Sequence, residues 1–187
     1  MAESPVPAVA RLRDRSATEA AIVAAGERIL LRDGFPGLNV QTLAAEAGCD
    51  RKLVYRYFDG VDGAVDRIAA RAHAALAASL ASIPLVETAS LRTFARISLL
   101  TWLAALRASP LSLRLMAWAL VEDSDLLRRI EADRAAVLQN WMRERRPRLR
   151  VPPAGDLVAL NAVLLASVQH LALAAPRRDF GGVTLDD

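Results

Sequence analysis

Two short helical segments separated by one glycine constrain the fold of this chain more than any other feature of its sequence. The first runs from about Val40 to Ala47 after Asn39, and the second from about Arg51 to Phe58 after Asp50. Asn and Asp are favoured helix N-caps, and segments this short need a neighbour to be stable. With Gly48 as a tight turn between them, they predict a helix-turn-helix. Its apolar seam would consist of Val40, Leu43, Ala44, Ala47, Val54 and Phe58.

The composition favours an all-α fold. Hydrophobic residues make up 53% of the 187 residues, and they are mainly Ala and Leu rather than β-branched or aromatic types. A single cysteine, Cys49, excludes an internal disulfide framework, and Met1–Ala10 contains no apolar run typical of a signal peptide. We therefore expect a cytoplasmic protein.

Residues that cap or end helices predict the positions of the remaining helices. A capping box of Ser16 and Glu19 predicts that the first helix begins at Ser16, and Gly34 is suited to the left-handed position beyond its end. Five more helices are predicted at about residues 61–82, 88–107, 111–121, 124–146 (capped by Ser124) and 156–175. The predicted divisions are a flexible basic arm (1–15), a helix-turn-helix domain (16–60), a helical ligand-binding and dimerisation domain (61–175) and a tail (176–187). The chain ends where a further helix could be capped, which raises the expectation of an additional C-terminal helix.

The last predicted helix is apolar on more than one side. A membrane span over Leu157–Ala175 is the alternative, but Asn161, Gln169 and His170 favour a helix buried in protein. One core cannot cover all sides, so we expect a symmetric homodimer with this helix in its interface. The predicted interface residues are Leu157, Leu160, Leu164, Val168 and Leu171.

The second short helix carries the residues expected to contact DNA. If Val54 and Phe58 face the core, Lys52, Tyr55 and Arg56 point outward, with Arg51 and Leu53 on the flanks. The cations could donate to guanine in the major groove, and Leu53 could touch a thymine methyl group. Tyr55 and Tyr57 are predicted to bond phosphates, as are Asn39, Gln41 and Thr42 at a helix N-terminus. The alternative is an ordinary solvated face.

Residues 34–58, GFPGLNVQTLAAEAGCDRKLVYRYF, resemble the DNA-binding segment of the TetR family, with its Gly-Phe, its Ala-Ala-x-Ala-Gly turn and its Leu-Tyr-x-Tyr-Phe ending, here Leu-Val-Tyr-Arg-Tyr-Phe. The resemblance implies a dimeric bacterial repressor that leaves a near-palindromic operator when a small molecule binds its helical bundle. Four positions depart from the family pattern: Asp50 replaces Ser, Lys52 replaces Gly, Leu53 replaces Thr and Val61 replaces Lys. The two lost phosphate contacts could be replaced by contacts from Arg51 and Lys52 and, if the arm reaches an adjacent minor groove, from Arg11, Arg13 and Arg15. The alternative for the arm is a disordered soluble tail.

The resemblance also implies a mainly hydrophobic ligand pocket in the bundle, and simple core packing is the alternative for each residue. Its candidate lining residues are Phe94, Trp102, Met116, Trp118, Leu120, Leu138, Trp141, Asn161 and Gln169.

Other functional signals are weak. The sequence has no nucleophile motif or phosphate loop, so no enzymatic activity and no cofactor are predicted. His73 and His170 are isolated, which argues against a metal site. Cys49 is more typical of a buried thiol than of a redox sensor. The arginines of residues 143–150 are interpreted as a helix-end cluster. The rival function is a ligand- or protein-binding dimer of the same ancestry that has lost operator binding.

Overall fold

The structure is a computed structural model that describes residues 8–82, 90–145, 157–174, 179–180 and 183–184, with side chains described for residues 15–82, 90–144 and 159–174. Within these ranges the chain is helical apart from turns and one two-stranded ribbon, which confirms the predicted all-α class. The helices are α1 (Ala8–Arg32), α2 (Val40–Ala47), α3 (Arg51–Phe58), α4 (Val61–Ala81), α5 (Leu91–Arg107), α6 (Pro110–Ala119), α7 (Asp125–Arg145) and α8 (Leu157–Ala174), with a 3-10 turn at Phe35–Gly37.

The ribbon near the end of the chain was not predicted. Strands β1 (Asp179–Phe180) and β2 (Val183–Thr184) pair in antiparallel register, with Asp179 opposite Thr184 and Phe180 opposite Val183. The predicted tail from residue 176 therefore contains backbone pairing.

The predicted start of the first helix at Ser16 is wrong, because α1 already begins at Ala8. Residues 8–15 are mostly Ala, Arg and Leu, which favour the helical state. The Glu19 carboxylate accepts from Arg15 Nε at 2.7 Å, one helical turn away, so an i,i+4 ion pair replaces the predicted capping box. Residues 8–15 of the predicted flexible arm are thus helical, and the side chains of Arg11 and Arg13 lie outside the described set.

Serine caps begin three helices of the C-terminal half. Ser124 Oγ accepts from the N–H of Leu127 at 3.2 Å, which confirms its predicted role at the start of α7. Ser90 and Ser109 cap α5 and α6 in the same way. The predicted α5 start at residue 88 lies outside the described residues.

The chain divides into two compact units, an N-terminal unit (residues 1–71) and a C-terminal unit (residues 72–187), and the division falls within α4. In the N-terminal unit α1 packs on α2 and α2 on α3. Its core includes Ile22, Ile29, Leu30, Leu43, Val54, Val65 and Ile68. In the C-terminal unit α5 packs on α6 and α8, and α6 on α7. The functional roles assigned to residues 1–15, 16–60, 61–175 and 176–187 stay predictions.

Helix α8 has one buried side and one exposed apolar side. Val168 is 6% exposed and Ala172 is fully buried, so both belong to the core of their own unit. Leu160 and Val163 are 54% and 62% exposed. The predicted interface face is therefore split: Val168 packs inside, Leu164 and Leu171 are half-buried, and the Leu157 side chain lies outside the described set. Periodicity could not separate the two sides of a helix that is apolar all round.

Among the described helices, α8 included, none combines the length with the hydropathy that a membrane span requires.

Candidate nucleic-acid interface and bundle core

Helix α2 begins with a reciprocal cap. Asn39 Oδ1 accepts from the N–H groups of Gln41 and Thr42 at 2.9 and 3.0 Å, and Thr42 Oγ1 accepts from Asn39 N at 3.1 Å and donates to Gly37 O at 2.7 Å. These two N–H groups are consequently occupied by the protein itself. The expectation that free N–H groups here attract phosphate is wrong for Gln41 and Thr42, although the side chains of Asn39 and Gln41 remain exposed.

The turn between α2 and α3 depends on Gly48, whose φ of 66° and ψ of 34° are left-handed. A Cβ atom there would meet nothing within 4 Å, so the requirement for glycine is conformational rather than steric. The neighbouring Cys49 is half-buried, and burial raises the pKa of its thiol, with a smaller contribution from Asp50. A raised pKa disfavours the reactive thiolate, as expected for a packing residue.

Asp50 stands where the family pattern has Ser, and the structure shows why the change is tolerated: Asp is also a good helix N-cap. Its carboxylate accepts from the N–H of Lys52 at 2.8 Å and fixes the start of α3.

The two faces of α3 are separated as predicted. Val54 is fully buried and Phe58 is 8% exposed, whereas Tyr55 is 59% exposed. The exposed residues of α3 are Arg51, Lys52, Tyr55 and Arg56, while Leu53 and Tyr57 are half-buried. Three cations and one phenol thus lie on the solvent side of one short helix.

Tyr57 is held by α1. The Arg15 guanidinium lies 5.2 Å from the centre of the Tyr57 ring, which is a cation–π distance, while its Nε donates to Glu19. Arg15 is therefore placed beside α3 by the unpredicted early turns of α1.

A separate ion-pair network fastens α1 to α2. Glu46 accepts from Arg28 Nε at 2.7 Å and lies 3.2 Å from Arg32 Nη2, and Arg28 also donates to the Glu46 carbonyl. Hydrogen bonding to Arg28, and secondly to Arg32, lowers the pKa of Glu46. These two arginines are thus engaged within the unit, unlike the cations described on α3.

The connection from α3 to α4 depends on three residues, of which sequence reasoning missed Gly63. Asp59 caps α3 in the left-handed region with φ of 57°, and Gly60 follows with φ of 109°. Gly63, in the first turn of α4, lies so close to Phe58 that a Cβ atom would overlap the Phe58 carbonyl oxygen. The repeated glycine in Asp-Gly-Val-Asp-Gly was the available signal.

Four of the predicted pocket residues meet in one cluster of the C-terminal unit. Trp102, Met116, Leu138 and Trp141 are all less than one-tenth exposed and pack with Leu76, Leu80, Ala105, Leu106, Val168 and Ala172. Phe94 and Trp118 are half-buried, and Trp118 Nε1 donates to Glu122 at 2.6 Å. Leu120 is 73% exposed and Asn161 is exposed, so the structure does not bring these two predicted residues into the cluster.

Gln169 lies beside a buried cation that the sequence did not indicate. Arg134 is 4% exposed and pairs with Glu131 one turn earlier on α7. With its amide oxygen turned toward the guanidinium, Gln169 accepts from Arg134 Nη1 and Nη2 at 3.0 and 3.2 Å. Arg134 is therefore well supplied with acceptors, and this cluster is a structural link between α7 and α8.

His73 is also buried, and its burial lowers the pKa of its imidazole. Among the described residues, no group of three or more His, Cys, Asp or Glu is arranged to hold a metal ion.

Two tryptophans of the cluster differ in their hydrogen bonding. Trp141 Nε1 donates to the Leu80 carbonyl at 2.8 Å. Trp102 Nε1 is buried and has no hydrogen-bond partner among the described residues, and the same is true of Ser98 Oγ on the same helix. Buried polar groups without partners are rare in proteins, and each of them calls for an explanation.

Comparison with solved structures identifies proteins of the same fold. The multidrug binding protein EbrR, in complex with ethidium, shares 20% identity at a TM-score of 0.62, over 89% of this chain and 91% of that one. A TetR-family regulator from Marinobacter aquaeolei shares 18% identity at a TM-score of 0.55, over 92% of this chain and 90% of that one. Another TetR-family regulator, from Haemophilus influenzae, shares 18% sequence identity at a TM-score of 0.55, and the match covers 90% of each chain. No protein-family model and no curated protein sequence matches this chain. The predicted resemblance is confirmed at the level of the fold.

Proposed function

We propose that this chain, which has the fold of TetR-family transcription regulators, is itself a regulator of that family: a repressor that leaves a near-palindromic operator when a small, mainly hydrophobic ligand binds. The observation that carries the proposal is the division of α3, with Val54 and Phe58 buried and Arg51, Lys52, Tyr55 and Arg56 exposed. A second helix of a helix-turn-helix with this polarity fits the major groove.

The chemistry of the exposed face suits DNA. Arg51, Lys52 and Arg56 can donate to guanine edges or to phosphates, and the Tyr55 hydroxyl can bond a phosphate oxygen. The tight caps at Asn39 and Asp50 hold α2 and α3 in fixed positions, so little order has to be gained on binding. Arg28 and Arg32 contribute less, because Glu46 already pairs with them.

Dimerisation is supported by the exposed apolar side of α8. Leu160 and Val163 are accompanied by exposed Ala159, Ala162 and Ala166, exposed Ser167 and His170 lie on the same side, and the helix carries no Asp, Glu, Lys or Arg. Operator binding by a two-fold symmetric pair requires that its two α3 helices lie about 34–36 Å apart, one turn of the duplex.

Release by a ligand would act through α4. This helix supplies Ile68 to the core of the N-terminal unit and Leu76 and Leu80 to the aromatic cluster of the C-terminal unit. A ligand that repacks the cluster would therefore favour a different placement of the same helix and shift the population away from the DNA-binding state. The drug-binding protein EbrR, which shares the fold, is an example of ligand binding on this scaffold.

The test is selection of duplexes from a random library, followed by fluorescence anisotropy of the selected duplex and a scrambled control across a salt series. We expect tight, salt-sensitive and sequence-selective binding. Lys52→Ala and Tyr55→Ala should each weaken it, and Arg96→Ala, which removes an exposed cation of α5, should not. A smaller salt slope in Lys52→Ala would assign Lys52 to a phosphate, and a loss confined to the selected sequence would assign it to a base.

The second candidate is a helical dimer that binds a ligand or a protein but no operator. The observations that favour it are the half-burial of Leu53 and Val61, where the family pattern has phosphate-binding residues, and the occupied N–H groups of Gln41 and Thr42. Binding to the selected duplex no tighter than to the scrambled one would establish this candidate instead.

A further inference from the structure

The buried face of α5 carries two hydrogen-bond donors that the protein leaves without acceptors. Ser98 and Trp102 are 5% and 1% exposed, and neither Ser98 Oγ nor Trp102 Nε1 has a partner within the described residues. Their separation of one helical turn places them on the same face, and long side chains in helices lean toward the preceding turn, here toward Ser98. A third atom of this kind, Arg107 Nε, belongs to a half-exposed residue on another face of α5.

The surroundings of Trp102 are apolar and adaptable. The indole packs in the cluster with Leu106, Met116, Leu138 and Trp141, and Met142 borders the same cluster. Methionine side chains readily repack around a guest, since they are unbranched and polarisable. A ligand entering here would bury its apolar body among these residues and bring any acceptor atom toward the two donors.

The charges of the unit select the class of ligand. The buried polar and charged residues described in the C-terminal unit are His73, Ser98, Ser112 and Arg134, with no carboxylate among them. A cationic ligand would therefore lose its hydration without gaining a buried counter-charge. An anionic ligand is also disfavoured, because Arg134 is already bonded to Glu131 and Gln169.

We propose that Trp102 and Ser98 bind the carbonyl oxygen of the effector, and that the effector is an uncharged, largely apolar molecule carrying a ketone, ester or amide group. One carbonyl oxygen has two lone pairs and can accept from the indole N–H and the hydroxyl together. The inference rests on the proposed function, in which the C-terminal unit is the ligand-binding part of the molecule, and it adds the chemical class of the ligand and the two residues that recognise it.

Two probes of almost the same shape test this on the unaltered protein: 2-acetylnaphthalene, which has a carbonyl acceptor, and 2-ethylnaphthalene, which has none. Titration calorimetry should give a dissociation constant at least about fivefold lower for the ketone, as expected for donors that are satisfied only by it. Ethidium, a cation, should bind more weakly than the ketone.

Variants then assign the preference to the two donors. Trp102→Phe and Ser98→Ala should each reduce the preference for the ketone, and the double variant should bring the affinities of ketone and hydrocarbon together. Ser112→Ala is the matched control, because the Ser112 hydroxyl already bonds Ser109 at 2.8 Å. This control should keep the ratio of the two dissociation constants.

Equal binding of the two naphthalenes to the unaltered protein would overturn the inference, and so would a ketone preference that is unchanged in either single variant or that survives in the double variant. Tighter binding of ethidium than of the ketone would overturn it as well. Operator binding and the preference for the ketone are measured independently of each other. Operator binding without a ketone preference removes only this inference, whereas a Trp102-dependent ketone preference in a protein that binds no operator removes only the proposed regulator.

Discussion

The indole N–H of Trp141 donates to the backbone carbonyl oxygen of Leu80 at 2.8 Å and joins α7 to the last turn of α4. Both residues are buried, at 6% and 1% exposure. Trp102 lies in the same cluster with a buried N–H that makes no such bond within the described residues. The two tryptophans therefore share an environment and differ in one hydrogen bond.

This difference predicts that replacing each tryptophan by phenylalanine lowers the free energy of unfolding by different amounts. Trp141→Phe should lower the free energy of unfolding by about 1 kcal/mol more than Trp102→Phe, because both lose similar ring volume but only the first loses a hydrogen bond. Urea denaturation of the two variants measures the difference. Equal costs, or a larger cost for Trp102→Phe, would show that the Trp102 N–H is satisfied in solution.

Gly63→Ala should destabilise the N-terminal unit by about 1–3 kcal/mol, because the new methyl group would overlap the Phe58 carbonyl and displace the end of α3. The midpoint temperature of thermal unfolding and the affinity for the operator should both fall. Gly26→Ala is the matched control in α1, since its methyl group would meet the movable ends of the Ile68 and Leu43 side chains rather than backbone. A Gly63→Ala protein as stable as the Gly26→Ala protein would contradict the prediction.

The Glu46 network predicts a pH dependence. Because its two arginines lower the pKa of folded Glu46 below the ordinary value of 4.5, the unfolded state binds the proton more tightly. The stabilisation by Glu46 is then complete above pH 4.5 and is lost as the pH falls through the lower folded pKa. Glu46→Gln should therefore be less stable than the parent at neutral pH, and the difference in the free energy of unfolding should disappear at acidic pH.

A double-mutant cycle checks the cause of that dependence. The coupling between Glu46→Gln and Arg28→Ala, measured by urea denaturation, should be present at pH 7 and should disappear at strongly acidic pH. A gap between Glu46→Gln and the parent that does not change with pH would rule out the ion pair as its source.

The exposed side of α8 predicts the effect of a charge on association. Leu160→Glu or Val163→Glu should convert a dimer into a monomer in sedimentation velocity, because a carboxylate would lose its hydration in a largely apolar interface and would face the same carboxylate of the symmetric partner. Leu100→Glu is the control, since Leu100 on α5 has the same 54% exposure as Leu160. An unaltered chain that sediments as a monomer would refute the proposed dimer outright.

Local signals predicted the helix-turn-helix closely. Asn39, Gly48 and Asp50 act through bonds to backbone groups two to four residues away, so their effect on α2 and α3 is contained in the neighbouring sequence. The same holds for Ser124 at the start of α7. The start of α1 was misjudged because the cap signal at Ser16 was followed although the preceding residues 8–15 are mostly Ala, Arg and Leu, which favour the helical state.

The sequence by itself determined the helical class, the caps and the division of α3 into a buried and a cationic face, because these depend on interactions within a few residues of the chain. Only the tertiary structure decided that Val168 faces inward while Val163 faces outward, that Gly63 must leave room for Phe58, and that Trp141 finds an acceptor where Trp102 does not. Those outcomes depend on which distant segment occupies the space beside each side chain, and periodicity carries no information about that neighbour.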